Sequence, residues 1–198
     1  MHYPDRMPGT RIDDSEITQL ALAAGRGDRG AAGAFVAATQ SDLLRFLAYL
    51  VGAGLAEDLA QETYLRAMRA LPGFAGLSGA RTWLLSIARR VAVDHIRHVT
   101  RRPRAADLAD WQSAAEATAG GQRAGFEDGV LLIDLVRALP DDRREAFVAT
   151  QLLGMSYEEA AEVCECPIGT IRSRVARARA DLAAALDGTG VGRTRRIG

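Results

Sequence analysis

The sequence predicts an all-α protein made of two small helical domains joined by a flexible linker. Alanine is abundant and only 6% of the 198 residues are aromatic, a composition that favours helix over strand. No sustained alternation of Val, Ile or Tyr predicts a β-strand. Hydrophobic residues make up 48% of the chain, enough to bury a core in each domain.

The first two helices of the N-terminal half are predicted from a cap and an apolar stripe. Asp13 or Asp14 precedes apolar residues at helical spacing, as an acid at an N-cap does. The second helix carries a broad apolar stripe from Phe35 to Leu50, and Gly52 ends it.

Two further helices complete this half. The third has acids near its N-terminus, which suit the helix dipole, and it is expected to end at Pro72. The fourth is expected to be capped by Ser78 or a neighbour and to end before Pro103, because proline cannot continue a helix.

The C-terminal half predicts a helix-turn-helix. A helix over 127–139 precedes one that begins at Pro140, where two aspartates favour a first turn. Ser156 and Glu159 have the spacing of a capping box and begin a third helix. The short segment Glu-Cys-Pro separates that helix from the last one, which is helix-turn-helix spacing.

Positive charge is concentrated in two segments of a chain whose net charge is zero. The 25 acidic residues balance 25 basic ones, all of them arginine. The arginines outnumber the acids in 81–104 and in 168–198. The residues between are partly acidic and rich in Ala and Gly, which is typical of a linker. We therefore expect a disordered tail over 1–14, a domain over 15–104, a linker over 105–127, a second domain over 128–186 and a basic tail over 187–198.

The last helix has one apolar face and one cationic face. Ile171 and Val175 fall on the side predicted to pack inward, and Arg172 and Arg177 lie on the other. The second helix of a helix-turn-helix enters the major groove of DNA, where arginine contacts guanine in a bidentate way. A solvated basic surface is the alternative. The short turn and the capped preceding helix favour DNA binding.

The second basic helix, over 80–102, combines arginines with Trp83. Its apolar residues have helical spacing, so packing in a core is the first interpretation of the tryptophan. Stacking on unpaired bases is the alternative, because aromatic side chains bind single strands in this way.

Other classes of site are not expected. Cys164 and Cys166 are badly spaced for a disulfide and have no further ligand nearby, so we expect no metal and no cofactor. Asp94, His95 and His98 have no nucleophile or third ligand placed beside them, so an enzyme is not expected. No apolar run reaches the roughly 20 residues of a membrane span, and the N-terminus lacks the apolar core of a signal peptide. We expect a cytoplasmic protein without a membrane span.

Two long segments together resemble the extracytoplasmic-function (ECF, group IV) sigma factors of bacterial RNA polymerase, which belong to the sigma-70 family, and among them the sigma-C type. The first runs from "DLAQETYLRAMRALPGF" to "ARRVAVDHIR", the second from "LPDDRREAF" to "RVARARADL". The resemblance implies a region 2 domain that binds core polymerase and the promoter −10 element and helps to melt it. It also implies a region 4 helix-turn-helix domain that binds the −35 element as duplex.

The resemblance also implies which residues have these roles. Those expected to dock on the clamp helices of the polymerase β′ subunit are Glu57, Asp58, Gln61, Glu62 and Arg66. Those expected at the −10 element are Phe74, Ser78, Trp83, Arg89, Arg90, Arg97 and Arg101. Those expected at the −35 element are Thr170, Arg172, Ser173, Arg174 and Arg177. The other partners implied are the polymerase β flap and promoter DNA.

Several positions depart from the family pattern. Glu165 stands at a turn position often held by glycine, which predicts a positive φ for a non-glycine residue. Leu77 stands where an acid is frequent, Ala80 where a large apolar residue is common, and Arg90 where asparagine is common. The base preference at the −10 element is therefore not predicted.

Two hypotheses concern how the protein works. An anti-sigma factor, or packing of region 2 against region 4, is the hypothesis for keeping the free protein inactive. A free-standing helix-turn-helix regulator that binds duplex DNA as a dimer is the alternative function. It would need a dimerisation helix, which is not evident, and it gives the basic helix around Trp83 no clear purpose.

Overall fold

The computed structural model describes residues 13–101 and 133–188, and all regular structure in these two ranges is helical. The all-α prediction is confirmed. The expected linker over 105–127 and most of both expected tails lie outside the described residues.

Four helices form the N-terminal module, as predicted. They are α1 (Asp14–Gly25), α2 (Arg29–Val51), α3 (Ala53–Ala70) and α4 (Ala80–Arg101), with a short 3-10 turn over Leu71–Gly73 before α4. α2 is the central helix, because α1, α3 and α4 all pack against it. Its largest apolar side chains, Phe35 and Phe46, are fully buried.

The start of α4 is tied to α1. The backbone N–H of Ala80 donates to Thr18 Oγ1 at 3.1 Å, so a threonine on another helix satisfies this donor. α1 also approaches the 3-10 turn closely, because a Cβ on Gly25 would lie 2.5 Å from the carbonyl oxygen of Leu71. These contacts fix the position of α4 and of the loop that precedes it.

The C-terminal module follows the predicted order of helices. Residues 133–137 are helical, and the elements after them are α5 (Asp141–Phe147), a π-helix (Val148–Leu152), α6 (Tyr157–Cys164) and α7 (Ile168–Gly188). The capping box is confirmed. Glu159 N–H donates to Ser156 Oγ at 3.1 Å, and Ser156 N–H donates to the Glu159 carboxylate at 2.7 Å.

The turn between α6 and α7 has the predicted left-handed residue. Glu165 has φ 51° and ψ 45°. A side chain in this conformation costs about 1–2 kcal/mol, because Cβ approaches the following carbonyl. The N–H of Cys166 donates to the Ala161 carbonyl at 3.1 Å and closes the turn.

The two modules pack against each other. α4 lies against α6, and α2 contacts both α5 and the π-helix. Buried residues of both modules form one continuous apolar cluster. We call this packing the closed arrangement; the sequence had offered it only as a hypothesis.

α2 requires a correction to the expectation about apolar runs. Among the described residues it is the one helix long and apolar enough to cross a membrane by length and composition. The central helix of a folded core has the same composition. The packing of α2 against three other helices gives its apolar residues that role here.

Candidate nucleic-acid interface

The last helix, α7, presents the two faces that the sequence predicted. Ile171, Val175 and Ala178 are buried, whereas Arg172 and Arg177 are exposed. Neither of these two arginines has an ion-pair partner within 13–101 or 133–188. The outer face of α7 therefore has free guanidinium groups, the donors that phosphate and guanine accept.

Polar residues at the start of α7 support this face. Thr170 is half-buried and Ser173 is exposed, and the Ser173 hydroxyl donates to the Thr170 carbonyl at 2.9 Å. Residues near the N-terminus of a recognition helix are the ones that reach base edges. Both residues lie in the first turns of α7, next to exposed Arg172.

Arg174 differs from the other arginines expected at the −35 element. It is half-buried, and its Nε lies 3.2 Å from an oxygen of Asp142. One of its terminal nitrogens also lies 3.5 Å from Cys166 Sγ. These contacts turn Arg174 towards the body of the protein, away from the outer face of α7.

Two arginines of α4 pair with acids of the C-terminal module. Arg89 Nε donates to Glu145 Oε2 at 2.7 Å. Arg90 Nε donates to Glu165 Oε1 at 2.7 Å. Acids of one module thus occupy the guanidinium groups of the other, which are two of those expected at the −10 element.

The pair between Arg89 and Glu145 is largely withdrawn from water. Their side chains are 19% and 8% exposed. Burial alone would lower the pKa of Arg89, but the hydrogen bond and the charge of Glu145 outweigh it and raise that pKa. Arg89 stays charged, and removing Glu145 would leave that charge without its partner in a partly buried site.

Arg81 makes a third link between the modules. Its side chain is 7% exposed, and its Nε lies 2.7 Å from a carboxylate oxygen of Asp42 on α2. Its NH2 group donates to the Leu153 carbonyl of the C-terminal module at 2.8 Å. Next to it, the Thr82 hydroxyl lies 3.5 Å from Glu159 Oε1. Arg81 therefore supports both the N-terminal core and the closed arrangement.

The loop before α4 holds two aromatic rings together. The centroids of Phe74 and Trp83 are 4.9 Å apart, and their planes meet at 39°. Both rings are half-buried, and Ser78 in the same loop is half-buried as well. Leu77, in contrast, is 95% exposed. Trp83 packs against the core, as the first interpretation predicts, and part of its ring stays accessible.

Two more arginines were expected on α4. Arg97 is exposed and lies on the wall of a cleft between the modules. The side chain of Arg101 lies outside the part of the chain that the structure describes.

That cleft lies between α4 and the turn from α6 to α7. It has a volume of about 330 Å³, and the charged residues that line it are Arg89, Arg90, Asp94, Arg97, Glu165 and Arg174. The surface expected to meet the −10 strand therefore opens onto the interface between the modules.

α3 presents a separate polar face. Glu57, Asp58 and Gln61 are exposed. Glu62 Oε1 accepts a hydrogen bond from Arg66 Nε at 2.7 Å, which raises the pKa of Arg66. An acidic, solvated surface of this kind suits a basic partner surface.

The two cysteines lie in different surroundings. Burial raises the pKa of the Cys164 thiol to about 12, and the charge of Glu145 adds to the rise. Cys166 is half-buried and lies on the cleft wall. Within 13–101 and 133–188, no group of three or more His, Cys, Asp or Glu residues could hold a metal ion.

Three residues that join the modules were not predicted from the sequence as interface residues, namely Arg81, Glu145 and Glu159. A signal was available for two of them. Arg81 has helical spacing to buried Leu84 and Leu85, and Glu145 has the same relation to Val148. A charge at a core position needs a partner. Glu145 finds its partner, Arg89, in the other module, and Arg81 contacts Asp42 in its own module and the Leu153 carbonyl in the other.

Comparison with known families identifies both modules. Residues 35–102 match the Sigma-70 region 2 family, and residues 130–182 match the Sigma-70, region 4 family. The region 2 match covers helices of the N-terminal module, and the region 4 match covers helices of the C-terminal module.

Curated relatives cover most of the chain. The ECF RNA polymerase sigma factor SigC of Mycobacterium tuberculosis is 53% identical over 173 residues, which are 87% of this chain and 92% of the relative. The ECF RNA polymerase sigma-E factor of Escherichia coli K12 is 34% identical over 164 residues, which are 78% of this chain and 85% of that protein.

Solved structures show the same architecture. CnrH, in complex with the cytosolic domain of CnrY, has a TM-score of 0.68 at 26% identity, covering 87% of this chain and 98% of CnrH. The sigma factor RpoE of Bartonella quintana, in complex with the anti-sigma factor NepR, has a TM-score of 0.60 at 28% identity. That match covers 77% of this chain and 94% of RpoE.

Proposed function

The chain belongs to the ECF group of the sigma-70 family and is an RNA polymerase sigma factor, not an enzyme, and from this premise we propose how its two DNA-facing surfaces are used and controlled. A sigma factor brings core RNA polymerase to promoters.

Region 4 reads the −35 element through the outer face of α7. Arg172, Ser173 and Arg177 face solvent and are the direct readers. Thr170 lies at the N-terminus of the helix, where backbone N–H groups favour a phosphate. Arg174 acts from the side, since it is partly engaged by Asp142.

Region 2 binds the −10 element through the loop before α4 and through α4 itself. Phe74 and Trp83 form an aromatic surface beside Ser78, on which an unstacked base can rest. Arg89, Arg90, Arg97 and Arg101 follow along the helix and neutralise the phosphates of the melted strand. Core polymerase docks on the α3 surface of Glu57, Asp58, Gln61, Glu62 and Arg66, and its β flap holds region 4.

The closed arrangement keeps region 2 from DNA, and the observation that carries this proposal is the pairing of Arg89 with Glu145 and of Arg90 with Glu165. The carboxylates of region 4 stand where promoter phosphates would bind. A DNA strand and region 4 therefore compete for the same guanidinium groups.

The distance between the two promoter elements also requires the modules to separate. The −10 and −35 elements are separated by about 25 base pairs, or roughly 85 Å at 3.4 Å per step. Two touching domains of these sizes span only about 60 Å. Both surfaces cannot reach their elements while the modules are packed. Core polymerase, which binds the two regions at separate places, supplies the energy of opening.

The structural neighbours raise a further route of control. CnrH and RpoE were solved with CnrY and with the anti-sigma factor NepR, respectively. An anti-sigma partner of this chain would add to the inhibition by its own region 4. The chain acts in the cytoplasm, where polymerase and promoters are.

The first test is transcription. The full chain is mixed with core polymerase and a library of genomic fragments, and start sites are mapped. We expect discrete starts with shared −10 and −35 elements that Arg172→Ala and Arg177→Ala remove. Duplex binding without polymerase-dependent starts would overturn the assignment of residues and favour a free-standing regulator.

The second test addresses closure. A fluorescent single strand that carries the −10 element mapped above is titrated with the full chain without polymerase. Glu145→Gln is expected to raise its affinity by about tenfold, because the neutral amide holds Arg89 less strongly and the modules separate. An unchanged affinity would contradict self-inhibition.

A further inference from the structure

Glu165 is unfavourable at its position for two local reasons. It is the one non-glycine residue with positive φ in the described ranges, at 51°. It also places a negative charge at the C-terminus of α6, where the helix dipole favours a positive one. Glycine would remove both reasons, since it adopts this conformation freely and has no charge. The turn alone therefore gives no reason for a glutamate.

The contacts of the side chain give a reason. Glu165 Oε1 accepts a hydrogen bond from Arg90 at 2.7 Å, and Oε2 lies 3.9 Å from the NH1 group of Arg89. One carboxylate in region 4 thus faces two neighbouring arginines of region 2. The left-handed backbone directs the side chain across the interface, since the turn is where α6 meets α4. A backbone outlier of this kind points to a function that maintains it.

We infer that Glu165 is a positioning residue of the closed arrangement, held at an unfavourable turn position because its carboxylate occupies Arg90 and Arg89. The inference rests on the proposed self-inhibition and deepens it. The charge and the backbone strain of Glu165 have opposite consequences. The charge favours closure, and the strain weakens the turn of region 4.

Two substitutions separate these consequences. Glu165→Gln keeps the length of the side chain and the strain of the backbone but removes the negative charge. Glu165→Gly removes the charge and the strain together. The two variants should open region 2 equally, and the glycine variant should have the higher melting temperature. A residue that only shaped the turn would change the melting temperature without changing access to region 2.

The expected effect on access is moderate. The side chains of Glu165 and Arg90 are 49% and 59% exposed, so water and salt screen their attraction. We expect each variant to bind the single strand of the −10 element two- to fivefold more tightly than the wild type at low salt. The difference should shrink as the salt concentration rises.

The experiment uses the full chain without polymerase and measures strand affinity and thermal unfolding side by side. The reference for opening is Glu145→Gln, which removes the charge of the more buried pair. The matched control is Glu162→Gln. It removes one charge from the last turn of the same helix, and Glu162 forms no ion pair with the described residues of region 2.

The possible results either support or overturn the role of the Glu165 carboxylate. It is supported if both Glu165 variants bind more tightly, Glu162→Gln does not, and the glycine variant melts above the glutamine variant. It is overturned if only the glycine variant opens, because the backbone and not the carboxylate would then be the cause. If Glu162→Gln raised strand affinity equally, the cause would be a general effect of charge, and the inference would also be overturned.

The failure of the inference differs from that of the proposed self-inhibition. If Glu145→Gln raises strand affinity and the Glu165 variants do not, self-inhibition stands and Glu165 has no part in it. If none of these variants changes strand affinity, both ideas fall together.

Discussion

The two arginine-bearing helices, α4 and α7, both carry apolar and basic residues, but several of their arginines differ in surroundings. On α7, Arg172 and Arg177 point to solvent. On α4, Arg81 and Arg89 are largely buried and paired with groups from elsewhere in the fold. Arg172 and Arg177 are free of ion pairs with the described residues, whereas Arg89 and Arg90 are held by acids of region 4.

This difference explains how a chain of zero net charge can act on DNA. Affinity for phosphate depends on where free guanidinium groups are, and not on the average charge. Acids of region 4 pair with Arg89 and Arg90 of α4 and leave the outer face of α7 alone. The comparison therefore predicts that the free chain binds duplex through region 4 but not melted strand through region 2.

The largest effect is expected from Arg81→Met. This change removes a buried charge that joins Asp42 and the Leu153 carbonyl, and it should lower the free energy of unfolding by about 3 kcal/mol. Urea unfolding of the full chain measures it. Arg45→Met, at an exposed position on α2, is the control and should change stability little. Equal losses in the two variants would show that the buried contacts of Arg81 stabilise the chain no more than an exposed arginine does.

The next largest effect is expected on the outer face of α7. Arg172→Ala and Arg177→Ala should each weaken binding of the −35 duplex by about tenfold, since each removes a contact worth about 1–3 kcal/mol. Binding of the −10 strand by the free chain should stay unchanged, because neither residue lies at the interface. Competition titrations with both DNAs measure this. A parallel change in strand affinity would mean that the two surfaces are coupled.

The smallest effect is expected at the cysteines. Cys166 lies on the interdomain cleft, and Glu145→Gln should speed its alkylation several-fold, whereas Cys164 should stay unreactive in both proteins at pH 8. The Cys164 pKa of about 12 keeps the thiol protonated in the folded state. Mass spectrometry of alkylated peptides distinguishes the two sites. Modification of Cys164 at the rate of Cys166 would contradict the buried environment.

The same thiol gives the direction of a pH effect. Its folded pKa is raised from the ordinary 9.0, so the folded state keeps a proton that the unfolded chain releases. The stability it contributes is present below about pH 9 and is lost as the pH rises towards 12. Cys164→Ala should flatten the fall of the melting temperature in this alkaline range.

Several local features were predictable because they depend on neighbouring residues. The capping box of Ser156 and Glu159 and the buried stripe of α7 follow from spacing and from side-chain chemistry, whereas the positive φ of Glu165 is implied by the family resemblance. The cap that Thr18 provides for Ala80 was not predictable, because these residues are far apart in the sequence.

The sequence by itself determined the helices, their order and the apolar and basic faces of α7, because helical periodicity and caps act over a few residues. It also carried the family resemblance, which implied the two regions and their candidate residues. Only the tertiary structure decided which arginines are free. That depends on Glu145 and Glu165 meeting Arg89 and Arg90 across more than fifty residues of chain. Nothing local specifies such pairing, since it arises when two independently patterned surfaces bury their apolar residues against each other.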